Sequence, residues 1–454
     1  MIIIIVFSEK KQRNQSTFVK TILNSENEEI SCREVTMPLF HLLKDGFDYF
    51  ILYNEKMEVI SEVFQYLNHD LEKSCYNTRN QAAFAIRLLY CYLSLTNKDI
   101  NNISEEDLKK LQYFLKGIGT INEKYTMVTI RSNSTVNGYM AVYRQFFKKR
   151  GIKCKALFRS NITTTKNYIG EDFCSITEHK KYENNLKIED KTKETVPRYI
   201  SPQDFKTIFE FVIQKKDIQA KIILHLMYGY GLRLGEVLGL TIEDIQEVRR
   251  NGKYIPILIL RNRLSDKDFQ YAKGLKHVTN IKEYKSTDYI KNNYEIIITY
   301  DFYEQILEYI EESHTKLMEK YPNNYNNTYA DIVSNRNAPE ENHYVFLNQY
   351  GRILSDQTWG NKLKKYFLNA KIPIDYDIKE NNLSHRFRHG FAMFHARFSE
   401  NPIGVLELNK MMRHKKLSST LIYYNPTEDD ELKIKTEFQS ELYKLIPELK
   451  KGWF

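Results

Sequence analysis

Residues 158–197 most constrain what this chain can fold into. They are rich in Asn, Thr, Lys and Glu and have few apolar positions, so they cannot bury enough surface to order a core of their own. They read as a polar linker. A chain of 454 residues interrupted there is expected to fold as two or three domains.

Upstream, residues 1–56 mix short apolar runs with polar turns and read as a small strand-containing appendage. The apolar start, Met1 to Phe7, has no basic flank and runs into Glu9, Lys10 and Lys11. It is expected to be a strand rather than a signal peptide. Residues 57–157 change to helical spacing. Phe64 and Leu67, then Ala82, Ala85, Leu88, Leu89 and Tyr92, recur on one face. Ser104-Glu-Glu-Asp107 opens a helix with a capping-box pattern. A third amphipathic stripe, Val136 to Phe147, ends in Lys148-Lys149-Arg150. Those cations complement a helix C-terminus or contact a phosphate backbone, and the sequence leaves both open.

Downstream, Ser201-Pro202-Gln203-Asp204 reads as an N-cap, a proline at the first helical position and an acid in the first turn. It opens a second domain at 198–430. Within it, Ile218 to Met227 and Leu232 to Leu240 are expected helices separated by Gly229-Tyr-Gly231. Ile255 to Leu260 and Glu295 to Thr299 are expected strands, and Phe302 to Ile310 is a helix. Residues 431–454 keep apolar positions at helical spacing and read as a helical tail. The fold class expected is mainly α with a small antiparallel β-sheet: a helical domain plus an α+β domain.

Composition excludes some classes and permits others. Lys and Arg number 67 against 58 Asp and Glu, a net charge of +9. This permits a polyanionic partner without requiring one. Five separated cysteines with no C-x-x-C pair point to a reducing compartment and away from a disulfide framework. No stretch is apolar for the ~18 residues a membrane span needs. The expectation is a cytoplasmic protein without a membrane partner.

Three separated segments carry the chemistry: Gly229-Tyr-Gly-Leu-Arg-Leu-Gly-Glu236, Leu383-Ser-His-Arg-Phe-Arg-His-Gly-Phe-Ala392, and Met412 to Pro426. Arg233 and Arg388 are planar, permanently charged forks suited to a phosphate. His385 and Arg388, three apart, share a helical face, and His389 is expected to lie one step round and point elsewhere. Singly, each segment has an ordinary explanation. Arg233 and Glu236 could be a surface ion pair of little worth. His385 and His389 could ligate a metal, although no Cys or zincin-type Glu accompanies them. Tyr423 could be a core aromatic. The ordered combination argues against all three.

That combination resembles the tyrosine recombinase (phage integrase) family. Arg233 with Glu236 matches its first box. His385, Arg388 and His389 match the His-x-x-Arg-His of its second. His414 and Tyr423, nine residues apart with Thr420 three before the Tyr, match its third. The resemblance is strong over 198–430, and 57–157 looks like the family's helical core-binding domain. Arg413 stands where the family usually has Gly, Arg386 is an additional cation, and Tyr424 directly follows Tyr423. The His-to-Tyr spacing favours Tyr423.

The resemblance implies a DNA strand-exchange enzyme with Tyr423 as nucleophile. Arg233, Arg388 and His414 would clamp the scissile phosphate, and His385 would manage the phenolic proton. A lysine from the segment between the strands would protonate the departing 5′ oxygen. Lys267, Lys273, Lys276, Lys282 and Lys285 compete for that role, and Lys273 is favoured because Gly274 could hold it at a hairpin tip. Implied partners are double-stranded DNA, a homo-tetramer on paired sites, and accessory directionality or architectural proteins. The tail would dock on a neighbouring protomer, and no cofactor or metal is required. Rival readings are a type IB topoisomerase-like or telomere-resolvase-like enzyme, and a DNA-binding relative without catalysis.

Overall fold

The computed structural model describes residues 3–445, apart from 13–14, 45–46, 120–122, 159, 169–173, 183–187, 189–195, 264, 267, 277, 279–290, 326–342, 375–382 and 426. The chain divides into two compact units, Met1–Lys191 and Thr192–Phe454.

In the first unit the apolar start forms β1 (Ile4–Gln12), which pairs antiparallel with β2 (Gln15–Leu23). β3 (Glu29–Val35) extends the sheet beyond β2. Leu39–Lys44 (β4) and Phe47–Leu52 (β5) form a separate antiparallel pair. A later strand, β6 (Glu123–Thr126), joins the free edge of β1 in parallel, giving the order β3-β2-β1-β6. The sheet content is therefore larger than one small antiparallel sheet, and one pairing is parallel.

Helices Tyr76–Thr96, Glu105–Lys116 and Asn133–Arg150 complete this unit. The second starts as the sequence predicts: the Ser104 hydroxyl accepts from the Asp107 amide at 3.1 Å and the Asp107 carboxylate accepts from the Ser104 amide at 3.0 Å. The sequence reading separates strands at 1–56 from helices at 57–157, but the structure packs both on one apolar core. Phe7, Phe18, Val35 and Phe50 from the strands meet Ile86, Leu89, Phe114 and Phe147 from the helices. Buried arginines fix that junction. Arg87 donates to the carbonyls of Met37 and Ser16 at 2.8 and 2.9 Å, and Arg79 donates to that of Leu67 at 3.0 Å. The guanidinium groups satisfy strand, loop and helix carbonyls that burial would otherwise leave unpaired. Of the three cations ending the last helix, Arg150 is paired with Asp70, while Lys148 and Lys149 are exposed.

The expected linker contains structure. Ser160–Tyr168 (β7) and Cys174–Tyr182 (β8) pair antiparallel from Ser160↔Tyr182 to Tyr168↔Cys174. The β-branched residues Ile162, Thr163, Thr164, Thr165, Ile176 and Thr177 favour extended backbone. A reading based on polarity alone misses that preference.

In the second unit, helix Pro202–Gln214 is capped by Ser201, which accepts from the Asp204 amide at 3.0 Å. Helix Ile218–Tyr228 follows, then a turn through Gly231, then the short helix Leu234–Leu238. Gly231 has φ +62°, and a Cβ there would sit 2.6 Å from the Phe391 ring, so the turn requires glycine. The expected strands appear as β10 (Lys253–Leu260) and β11 (Tyr294–Ile297). A third strand not read from the sequence, β9 (Ile245–Arg250), pairs on the other edge of β10. Helices Tyr300–Lys320, Asp356–Asn369 and Leu383–Met393 close the core around Trp359, Phe367 and Phe387. A smaller cluster, including Phe391, Met393, Leu408, Met412 and Tyr423, seats the C-terminal part. Helix Glu428–Leu445 covers the start of the expected tail and exposes Leu432 and Phe438.

Candidate active site

Each of the three sequence segments ends in a backbone device that aims its side chains. Arg233 occupies the N-cap of helix Leu234–Leu238. Its amide donates to Glu236 Oε2 at 2.8 Å and its Nη1 to Oε1 at 2.7 Å. Glu236 is 4% exposed, so this is a buried pair rather than the surface ion pair its spacing allows. Burial opposes the charge on Glu236, but Arg413, Arg388 and Arg233 together hold its carboxyl below the ordinary range.

Arg388 is 2% exposed, on the buried face of helix Leu383–Met393. Its guanidinium donates to the carbonyls of Gly231 and Met412, and so ties the first and third segments together through the second. Burial lowers its pKa to about 9, with Glu236 pulling the other way.

Met412 ends helix Val405–Met411, and Arg413 then turns the chain with φ +52°. That left-handed conformation is the one a Gly adopts freely, so the departure noted in the sequence keeps the turn and adds a side chain. Arg413 Nη2 lies 2.6 Å from Glu236 Oε2. His414 follows, with Nδ1 2.9 Å from Thr420 Oγ1, and Asn409 donates to that same hydroxyl at 2.9 Å. The His414 ring lies nearly parallel to the Tyr423 ring, 6.4 Å between centroids.

Tyr423 sits in a helical turn, Ile422–Tyr424, and is 1% exposed. Its hydroxyl is 2.7 Å from His389 Nδ1. Burial raises the phenol to about 12, against the opposing charges of Arg388 and Arg233. Tyr424 points elsewhere and donates to the Ile403 carbonyl at 2.7 Å.

The structure thus brings Arg233, His385, Arg388, His414 and Tyr423 into one cluster. Burial followed by the charges of Arg388, Arg233 and Lys273 pushes His385 down to about 4. Burial followed by Arg388 and Arg233 lowers His414 to about 4. His389 falls to about 3, from burial and then His385, Arg388 and His414. All three imidazoles are neutral at physiological pH.

His389, expected to point away, is a correction to the sequence reading. Residues four apart on a helix are only ~40° apart around its axis, so His385 and His389 share a face, with ring centroids 4.9 Å apart. The i, i+4 spacing was the signal that could have found it.

Lys273 is exposed in a turn between β10 and β11, beside Gly274 with φ +100°. It is not at the tip of a simple hairpin, because the connection folds back on the Arg233 helix. Gln270 donates to the Leu238 carbonyl at 2.9 Å, and Asn262 accepts from the Ala272 amide at 2.7 Å. Cβ atoms on Gly235 or Gly239 would meet the carbonyls of Tyr271 or Gln270 at 2.6 Å. This packing brings the Lys273 charge to bear on His385. Lys276 lies in the same turn, and Lys267, Lys282 and Lys285 lie outside the described residues. A cleft of about 720 Å³ adjoins His414, lined in part by Tyr230, Tyr294, Phe391, Arg413 and Lys415.

No described helix is long and apolar enough to cross a membrane. Transposase A from transposon Tn554 of Staphylococcus aureus is 28% identical over 203 residues, 43% of this chain and 54% of that protein. The chain thus matches about half the length of these curated relatives. Among solved structures, the Tn1549 transposon integrase in complex with transposon right end DNA is 16% identical, with TM-score 0.46, covering 83% of this chain and 99% of that one. XerH site-specific recombinase bound to palindromic difH substrate is also 16% identical, with TM-score 0.46, covering 79% and 78%. The phage integrase family model matches residues 198–430, just over half of the chain and the whole span of the clustered residues, and the chain belongs to that family of tyrosine recombinases.

Proposed function

We propose that the protein is a site-specific DNA recombinase of a mobile genetic element, cutting and rejoining strands through a 3′-phosphotyrosine intermediate on Tyr423. The observation that carries this reading is the convergence of Arg233, Arg388 and His414 around the Tyr423 ring.

A phosphodiester resists attack because its anionic oxygens repel a nucleophile and its alkoxide leaves poorly. Arg233 and Arg388 supply fixed positive charge where negative charge builds up in the transition state. Thr420 accepts from Asn409, so its own proton can go to His414 Nδ1. That leaves Nε2 as the protonated nitrogen, able to donate to a phosphate oxygen. Tyr423 Oη forms the bond to phosphorus as the bond to the 5′ oxygen breaks. Lys273 gives that oxygen a proton. The phenol is a good leaving group for the reverse step, so a 5′ hydroxyl of another strand can displace it and reseal the backbone.

In this reading the partner is double-stranded DNA, bound with strong salt dependence, and the working assembly is a tetramer on paired sites. Accessory directionality or architectural proteins fit the same scheme. The exposed Leu432 and Phe438 of the C-terminal helix favour docking on a neighbouring protomer. The presence of all five of Arg233, His385, Arg388, His414 and Tyr423 in one cluster, with the pKa values of the last four shifted, argues against a relative that has lost catalysis.

The test is a nicked suicide duplex library, whose released fragment prevents religation. Mass spectrometry of the trapped adduct should place DNA on the peptide carrying Tyr423, and sequencing should return paired related sites. Relaxation of supercoils without joining of two partners would favour a topoisomerase-like enzyme instead.

A further inference from the structure

We infer that His389 is the group that takes the Tyr423 proton during strand cleavage, the role the family resemblance implies for His385. The inference rests on Tyr423 being the nucleophile.

Three observations carry it. The His389 Nδ1 is 2.7 Å from the Tyr423 hydroxyl, a short hydrogen bond to the reacting atom. The imidazole is neutral, so Nδ1 can present a lone pair to the phenolic O–H while Nε2 carries the ring proton. Helix Leu383–Met393 holds His389 in a closely packed stretch: its neighbours Arg388 and Gly390 are buried, and a Cβ at Gly390 would meet the Tyr228 ring at 2.5 Å and the Ile200 carbonyl at 2.6 Å.

The step balances. The Oη–phosphorus bond forms and the phosphorus–5′ oxygen bond breaks. The phenolic proton passes to His389 Nδ1, and the leaving oxygen receives a proton from Lys273. The proton need not leave first. As Oη shares electrons with phosphorus its O–H becomes strongly acidic, and an imidazole already bonded to it accepts the proton in the same event. Before DNA arrives, a buried phenol raised to about 12 and a weakly basic imidazole keep the nucleophile idle.

The experiment uses the full chain and a nicked suicide duplex under single-turnover conditions. His389→Gln keeps a neutral polar side chain of similar size but cannot take the proton. Adduct formation is expected to slow by about 10²–10⁴-fold while DNA binding and thermal melting are unchanged. Replacing Tyr423 with 3,5-difluorotyrosine, whose phenol is more acidic, should narrow the deficit by about tenfold or more. A normal or faster rate for His389→Gln overturns the inference; a faster one would mark the contact as a lock on the phenol. A slow variant that difluorotyrosine does not rescue also overturns it, leaving His389 a packing role. An adduct that persists in Tyr423→Phe indicts the nucleophile instead, and so separates the failure of that reading from the failure of this one.

Discussion

Arg413 Nη2 lies 2.6 Å from Glu236 Oε2, joining two residues 177 apart in sequence. Glu236 gives its other oxygen to Arg233. One buried carboxylate thus holds the cation of the first segment in place and anchors the turn that carries His414. Glu236→Ala removes the counter-ion from a cluster of three arginines. We expect a loss of about 3–5 kcal/mol in unfolding free energy and no measurable cleavage. A midpoint shift in urea worth less than ~1 kcal/mol would mean that the arginines do not depend on it.

The backbone at Arg413 tests the same arrangement independently. Its φ of +52° costs a non-glycine residue roughly 1–2 kcal/mol. Arg413→Gly and Arg413→Ala both lose the ion pair, but only Ala keeps the strain. The Gly variant should be the more stable by about 1 kcal/mol. Equal or reversed stabilities by thermal melting would show that the turn relaxes without cost.

Arg388→Ala should slow adduct formation by on the order of 10²-fold or more, the loss expected for one transition-state donor. It should also destabilise the fold by about 2–4 kcal/mol, because the carbonyls of Gly231 and Met412 lose a buried donor. A near-normal single-turnover rate would remove Arg388 from the phosphate clamp.

Tyr423→Phe should retain DNA binding and form no covalent adduct, whereas Tyr424→Phe should remain competent. The Tyr424 hydroxyl is committed to the Ile403 carbonyl, so its loss affects stability by about 1 kcal/mol rather than chemistry. Adducts on denaturing gels distinguish the two, and the opposite pattern would move the nucleophile by one place.

Acid should destabilise the DNA-free protein through its histidines. His385, His389 and His414 have folded pKa values of about 4, 3 and 4, below the ordinary 6.5. The unfolded chain therefore binds more protons between those values and 6.5, and stability falls as pH is lowered through that window. Each histidine contributes at most ~1.4 kcal/mol per pH unit. Urea midpoints at pH 7, 6 and 5 should fall progressively, and His389→Gln should flatten the slope. A slope unchanged by that substitution would show that His389 protonates freely in the folded state.

Lys273→Ala should slow cleavage of a normal duplex but not of one whose scissile 5′ oxygen is replaced by sulfur, because a thiolate leaves without a proton. Equal defects on both substrates would assign Lys273 to binding and reopen the choice among the lysines of that segment.

The sequence by itself determined the residue set and its order. Arg233, His385, Arg388, His414 and Tyr423 were legible because the three segments, in that order and with that internal spacing, resemble the tyrosine recombinase family. The caps at Ser104 and Ser201 and strands β1, β10 and β11 were legible because capping and apolar runs are local signals. Only the tertiary structure decided which partners these residues take. The contacts of Arg388 with Gly231 and Met412, and of Arg413 with Glu236, cross more than one segment, and no periodicity encodes them. β6 and β9 escaped because β6 is short and pairs across a long sequence gap, while β9 has only Ile245 and Val248 as apolar residues, three apart among exposed polar ones, and so lacks strand alternation. The choice between His385 and His389 was also tertiary: two residues ~40° apart on one helix differ only in what faces them, and the fold sets the Tyr423 hydroxyl against the second.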